Sequence, residues 1–76
     1  MANKKTTQNI DLGYKGDWCE QTAEFAKYTG DMIIMERNYR RAIECYETGG
    51  FPEEALRVAK ILGDRAKISE LEEKLK

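Results

Sequence analysis

The 76-residue chain contains no histidine, two cysteines and a single proline. Without histidine, the commonest general base near neutral pH is missing. A structural zinc site needs about four Cys or His ligands, so two thiols cannot build one within a single chain. No nucleophile with a base and an orienting group can be assembled from the sequence. We therefore expect no catalytic site, no metal ion and no cofactor.

Long apolar runs are also missing. No stretch approaches the roughly 20 apolar residues of a membrane span. The first 17 residues lack the apolar core of about 7 to 15 residues that marks a secretion signal. Thirteen Lys and Arg against fourteen Asp and Glu leave a net charge of -1, which gives no overall attraction to nucleic acid or anionic lipid. These absences favour a cytoplasmic protein that does not act at a membrane.

The residues that are present indicate one small folded domain. The sequence is 41% hydrophobic and 36% charged, which is typical of a globular chain with a well-solvated surface. At this length the chain is near the small end of what folds alone. Residues 1–15 are polar and predict a mobile tail, and residues 16–76 predict a single helical domain of about two repeat units.

Two similar phrases organise this domain. The segment "EFAKYTGD" runs from Glu24 to Asp31, and "RVAKILGD" runs from Arg57 to Asp64, a shift of 33 residues (57 minus 24). A period between about 20 and 50 residues is the signature of repeat architectures. In each phrase the glycine can end one helix in the left-handed conformation, and the aspartate can cap the next. So short a joint predicts an αα-hairpin.

Helix-start and helix-stop residues divide the domain into four helices. Asp17 and Glu20 resemble a capping box at the first start, and Pro52 suits the first position of the third helix. The sequence therefore predicts an all-α fold of two αα-hairpins, with helices at Trp18–Thr29, Met32–Glu47, Pro52–Leu62 and Arg65–Leu75.

The helical period predicts which side chains face the core. For the first helix these are Trp18, Thr22, Phe25, Ala26 and Thr29. For the second they are Met32, Met35, Tyr39, Ala42, Ile43 and Tyr46. For the third and fourth they are Phe51, Ala55, Val58, Ala59, Leu62, Ile68, Leu71 and Leu75. The apolar run 32–35 is interpreted as core packing, with an exposed patch that favours self-association as the alternative.

The segment "YRRAIECYETGGFPEEA" resembles the helix pair of tetratricopeptide-type repeats, in which aromatic, small and glycine residues recur at fixed spacings. The matching residues are Tyr39, Ala42, Ile43, Tyr46, Gly50 and Ala55. The chain departs from the family where Ile43 replaces its glycine and where Lys67 stands near its proline. The resemblance implies a right-handed stack of hairpins that binds peptides or protein partners. The residues themselves also allow a compact four-helix bundle, or an open end covered by a second copy in a homodimer.

The basic cluster "RNYRR" supplies the candidate partner-binding residues. Arg40 has Glu36 and Glu44 four residues away on either side, which predicts an ordinary charge ladder. Arg37 and Arg41 form a less compensated positive strip. The candidate residues are Arg37, Asn38, Arg41 and Ile34. The alternatives are a solvated face and a local contact with phosphate.

The two thiols, Cys19 and Cys45, both fall on predicted helices. A buried cysteine usually acts as a small apolar residue, although a tight first hairpin also makes a disulfide between them geometrically conceivable. Taken together, the sequence predicts a noncatalytic protein-interaction module. The alternative is a small nucleic-acid-associated regulator that uses the local basic strip.

Overall fold

A computed structural model describes residues 8–76 of the chain. It confirms the all-α prediction with four helices, which are α1 (Ile10–Thr29), α2 (Met32–Thr48), α3 (Pro52–Leu62) and α4 (Arg65–Lys74). No strand occurs within the described residues. Residues 1–7 of the predicted tail lie outside them.

Helix α1 begins earlier than the sequence predicts. Asn9 is the N-cap, and its Oδ1 accepts a hydrogen bond from the Leu12 backbone N–H at 3.2 Å. The predicted start at Trp18 is therefore wrong, as is the capping box of Asp17 and Glu20, and residues 10–15 are helical rather than part of a tail. Asparagine satisfies the free amides of the first turn in the same way as aspartate does. Gly13 and Gly16 both lie inside the longer helix.

The two Gly–Asp joints have the same structure. Gly30 and Gly63 are both left-handed, with φ of 87° and 83°, a conformation that costs other residues strain. Asp31 and Asp64 then cap α2 and α4 by accepting from the backbone N–H three residues later, at 3.1 and 3.2 Å. The prediction drawn from the two similar phrases is thus confirmed at both joints.

The remaining boundaries lie close to the expected ones. Pro52 occupies the start of α3, whose range matches the prediction. Helix α2 runs one residue further than expected, to Thr48, and α4 ends at Lys74. Pro fits the first turn because its missing N–H has no intrahelical partner there.

The core lies along α2, the helix that packs against both α1 and α3. Extensive helix packing within the described residues joins α1 to α2, α2 to α3 and α3 to α4. The largest fully buried side chains are Tyr39, Tyr46, Leu71 and Val58. The rest of the buried apolar set is mostly small and consists of Ala23, Ala26, Ala42, Ile43, Ala55 and Ala59.

The predicted inward face of α1 is largely wrong. Trp18 is 73% exposed and Phe25 is 70% exposed. The buried face of this helix instead carries Gly16, Glu20, Ala23 and Ala26. Small residues on α1 let the tyrosine rings of α2 come close to its backbone, so the bulky side chains of α1 are turned to the opposite side.

The interpretation of residues 32–35 as core is correct only for Met35, which packs against the buried cluster. Met32, Ile33 and Ile34 are exposed. These three residues form the first turn of α2, directly after Gly30 and Asp31. They therefore lie at the tip of the α1–α2 hairpin rather than in its packed middle. The other predicted positions of α2, from Tyr39 onward, are buried.

The inward faces of α3 and α4 agree with the prediction except at Leu75, whose predicted place in the core is wrong because α4 ends before it. Ala55, Val58 and Ala59 are fully buried, and Phe51 and Leu62 pack partly against them. On α4, Leu71 is buried and Ile68 is half-buried. Leu75, which follows the helix, is 38% exposed.

Candidate partner-binding surface

The four candidate residues lie together on α2, in a surface that we call the α2 strip (Ile34, Arg37, Asn38 and Arg41). The spacing of Ile34, Asn38 and Arg41 by four and then three residues puts them on one side of the helix. Arg37 is one turn before Arg41. Both arginines and Ile34 are exposed, and Asn38 is half-buried.

Arg37 and Arg41 of the α2 strip have no ion pair within the described residues, whereas the neighbouring Arg40 has two. Arg40 contacts Glu36 at 3.1 Å and Asp64 at 2.7 Å. Arg37 and Arg41 make no ion pair with any of residues 8–76. The predicted charge ladder of Arg40 is confirmed on the Glu36 side, but Asp64 at the start of α4 replaces the expected Glu44 because the α3–α4 joint reaches this part of α2.

The side chain of Asn38 is partly engaged within its own helix. Its Nδ2 donates to the Ile34 backbone oxygen at 2.9 Å. This hydrogen bond fixes the amide beside Ile34 and leaves the two guanidinium groups as the strongest free donors of the strip.

A groove of about 250 Å³ runs beside the strip, between α2 and α4. Its lining residues are Arg40, Arg41, Ile43, Glu44, Glu47, Asp64 and Lys67. Arg41 therefore belongs both to the strip and to the groove wall.

Most of the charge in this groove is already paired. The carboxylate of Glu47 bridges Lys67 and Lys74 of α4, at 3.0 Å each. Burial acts to raise the pKa of Glu47, but the hydrogen bonds from the two lysines together hold this pKa below its ordinary value. The Glu47 hydrogen bond correspondingly raises the pKa of Lys67. This cluster fastens α4 to α2. The charged lining residues that have no ion pair within the described part of the chain are Arg41 and Glu44.

A second polar cluster, which the sequence analysis missed, joins α1, α2 and α3. Glu20 is 8% exposed and receives two hydrogen bonds from the Arg57 guanidinium, at 2.6 and 2.9 Å. Arg57 also contacts Glu54 at 2.8 Å. On the other side, the Tyr46 hydroxyl lies within hydrogen-bonding distance of the carboxylates of Asp17 and Glu20.

The protonation states of this cluster follow from its contacts. Hydrogen bonds from Arg57 hold the pKa of Glu20 below its ordinary value, although burial opposes them. Burial, and then the hydrogen bond to Asp17, raises the pKa of Tyr46. The phenol is therefore a neutral donor and the carboxylate an anion at neutral pH. Among the described residues no buried side-chain polar atom lacks a hydrogen-bond partner, so this arrangement holds three helices together rather than offering a site.

The signal for this cluster was present in the sequence but had two interpretations. Asp17 and Glu20 were assigned to a helix cap, and Arg57 was given no role. Their spacing also fits one side of a helix that starts earlier, and Gly13 and Gly16 mark the same helix as one that lies close to aromatic rings. A Cβ at Gly16 would lie 2.6 Å from the Tyr46 ring, and one at Gly13 would lie 3.0 Å from the Phe51 ring.

Residues 8–76 contain no group of three or more His, Cys, Asp or Glu side chains arranged to hold a metal ion. None of the helices in this range is long and apolar enough to cross a membrane. Cys19 and Cys45 are both half-buried free thiols.

Comparisons of the chain with protein-family models, with curated proteins and with solved structures gave no match.

Proposed function

We propose that the chain is a noncatalytic protein-interaction module of the tetratricopeptide-like type, which acts in the cytoplasm and binds an acidic protein segment through the α2 strip. The observation that carries the proposal is the pairing of charges on α2. Arg40 is neutralised by Glu36 and Asp64, whereas Arg37 and Arg41 have no acidic partner among residues 8–76.

The packing order supports a repeat-like architecture. Each helix packs mainly on the next one along the chain, as in stacked hairpins. Side chains also bridge alternate helices, since Arg57 reaches Glu20 of α1 and Lys67 reaches Glu47 of α2. A stack of this kind leaves one side of each helix open to a partner.

The residues that carry the tetratricopeptide resemblance lie in the core between α2 and α3 or in the turn that joins them. Tyr39, Ala42 and Tyr46 of α2 are buried against α1 and α3, and Ala55 of α3 is fully buried beside them. Gly50 has a φ of 85° in the turn between the two helices. These positions support the family resemblance independently of the α2 strip.

The chemistry of the strip defines the partner. Two guanidinium groups one helical turn apart can each hold a carboxylate with two parallel hydrogen bonds. Ile34 adds an apolar contact at the end of the strip, where it is 41% exposed. The expected partner is therefore a protein or peptide segment that combines acidic residues with at least one apolar side chain.

Affinity capture from a native extract tests this function. The Arg37→Glu/Arg41→Glu double variant should lose the partner that the native chain retains, because both carboxylate contacts become repulsive. A matched control is Lys60→Glu/Arg65→Glu, which makes the same change of charge at two exposed residues of α3 and α4 that have no ion pair in the described part of the chain.

Three results would contradict the proposal. The native chain could retain no protein, or the control pair could lose the partner as fully as the α2 pair. The native chain could instead retain nucleic acid, with binding that falls steeply with salt and disappears after nuclease treatment. That third result would favour the nucleic-acid-associated regulator.

A further inference from the structure

Helix α1 has two faces of opposite character. One face carries the small and polar residues that pack against α2 and α3. The opposite face is a row of large apolar side chains, which we call the α1 stripe (Ile10, Tyr14, Trp18, Phe25 and Tyr28). At 100° per residue these five positions fall within one narrow sector of the helix surface.

All five side chains of the stripe are exposed. Ile10 is 61% exposed, Tyr14 68%, Trp18 73%, Phe25 70% and Tyr28 91%. A single exposed apolar residue needs no explanation, but a contiguous row of them marks an interaction surface. With a rise of about 1.5 Å per residue, the stripe runs for about 27 Å along the helix.

The area of the stripe is close to what a standard protein interface buries on each partner. An aromatic side chain buries about 150–250 Å², so the exposed fractions of the four aromatics correspond to about 450–750 Å², before Ile10 is added. A standard interface buries about 800 Å² from each partner. With Ile10 added, the stripe comes close to this value.

The spacing of the stripe indicates that its occupant is a helix. Tyr14, Trp18, Gln21, Phe25 and Tyr28 follow one another at intervals of four and three residues, which is the seam pattern of paired helices. No charged residue lies within the seam, where Gln21 is the one polar member. Pairing along it therefore requires no burial of an uncompensated charge.

The rest of the chain offers no better complement to the stripe. Residues 1–7, "MANKKTT", contain no aromatic residue and one large apolar residue, Met1. The exposed residues of α4, at the other end of the fold, are charged or small, so head-to-tail stacking would place the stripe against charges. Among residues 8–76 the longest apolar surface is the stripe itself, which matches a second copy of the same surface.

We propose that the α1 stripe is the interface of a homodimer, in which α1 of a second copy packs along it. The contact is isologous, which means that both copies use the same surface. Two chains therefore satisfy it, and no third copy can be added. Met32 and Ile33, at the tip of the α1–α2 hairpin, are further exposed apolar residues. This interface is on a different helix from the α2 strip and does not depend on the partner proposed for that strip.

Sedimentation velocity of the purified full-length chain tests the dimer. The native protein should pass from monomer to dimer as its concentration rises through the micromolar range. Trp18 is the one tryptophan of the chain and lies in the middle of the stripe. Its fluorescence should shift to shorter wavelength over the same concentration range, because dimerisation removes the indole from water.

Variants of the stripe sharpen this test. Trp18→Ala should raise the dissociation constant by at least about 30-fold, since central aromatic residues are the usual hot spots of interfaces. Phe25→Glu should leave a monomer at every concentration. Both side chains are exposed in a single chain, so the circular dichroism and melting temperature of the monomer should not change.

The matched control is Ile61→Glu, which introduces the same charge at a 43% exposed apolar residue of α3 and should dimerise like the native chain. The Arg37→Glu/Arg41→Glu variant should also dimerise normally, which separates this proposal from the function proposed for α2. A native chain that stays monomeric with unshifted Trp18 emission would overturn the proposal. Equal loss of dimer in Ile61→Glu and Phe25→Glu would overturn it as well.

Discussion

The ring of Tyr46 packs directly on the backbone of α1 at Gly16, where an added Cβ would lie 2.6 Å from the ring. Tyr46 is 2% exposed, so the ring has little room to move away. The contact brings α1 and α2 close enough for the Tyr46 hydroxyl to reach Glu20 at 3.1 Å. Glycine at this position therefore determines how closely the first two helices approach each other.

Gly16→Ala should destabilise the fold even though alanine is the better helix former. Overpacking a core costs about 1–3 kcal/mol, and replacing a helical glycine gains about 1 kcal/mol, so we expect a net loss of up to about 2 kcal/mol. Chemical denaturation monitored by circular dichroism measures it. Gly13→Ala is the control. It should lower the stability less, because the added Cβ would lie 3.0 Å from the ring of Phe51, which is only half-buried. Equal effects of the two substitutions would contradict the Gly16 contact.

The ion pair of Glu20 and Arg57 should contribute more stability than that of Arg40. Arg57→Met leaves the buried Glu20 carboxylate without its two strongest donors, which should cost about 1–3 kcal/mol. Arg40→Met removes exposed contacts to Glu36 and Asp64, and should cost less than about 1 kcal/mol. Urea denaturation of the two variants compares them directly. A larger loss for Arg40→Met than for Arg57→Met would contradict this ranking of the two ion pairs.

The same pair predicts how stability changes with pH. Because the folded pKa of Glu20 is lowered from its ordinary 4.5, its contribution is fully present above about pH 4.5 and is lost as the pH falls through the folded pKa. Glu20→Gln should therefore be less stable than the native chain at pH 7, and the difference should shrink on acidification below pH 4.5. Unfolding free energies measured across pH 2–7 check this. A difference that stays constant over that range would contradict it.

Leu71 should control the docking of α4. It is fully buried, and between Lys67 and Lys74 it anchors a helix of only ten residues. Leu71→Ala should cost about 2–5 kcal/mol, and amide hydrogen exchange should accelerate first in α4. Leu75→Ala makes the same change at a 38% exposed residue and should leave the exchange of α4 nearly unchanged. Uniform acceleration throughout the chain in Leu71→Ala would exclude separate undocking of α4.

The Cys19 thiol should react slowly with alkylating reagents. Burial, followed by the neighbouring Cys45, raises its pKa above the ordinary 9.0, and the thiolate is the reactive form. In a Cys45→Ala variant, burial still acts on Cys19, so alkylation by iodoacetamide should be slower than that of free cysteine at pH 7 and should still rise above pH 9. Mass spectrometry follows the reaction. A rate that levels off below pH 9 would contradict the raised pKa.

The sequence predicted the parts of the fold that depend on local signals. Gly30 with Asp31 and Gly63 with Asp64 have the same effect in any context, because a left-handed residue followed by a side-chain cap is a local structure. Pro52 likewise placed the start of α3. These signals were sufficient for the helix order and for three of the four helix starts.

The face of α1 could not be derived in this way because it depends on what α2 presents. Trp18 and Phe25 were assigned to the core because they lie on one stripe of the helix at the helical period. The rings of Tyr39 and Tyr46 fill that space instead, and they accept only small residues such as Gly16 and Ala23 opposite them. On α2 the sequence already predicted that Arg37 and Arg41 are less compensated than Arg40, whereas the pairing of Arg40 with Asp64 required knowledge of where the α3–α4 joint lies.

The mass of the intact complex, recovered by gentle capture from native extract, tests the interaction account most directly. The account predicts a complex that contains two copies of the 8.8 kDa chain together with an additional protein held through Arg37 and Arg41. Recovery of the 8.8 kDa chain alone as a monomer would contradict it.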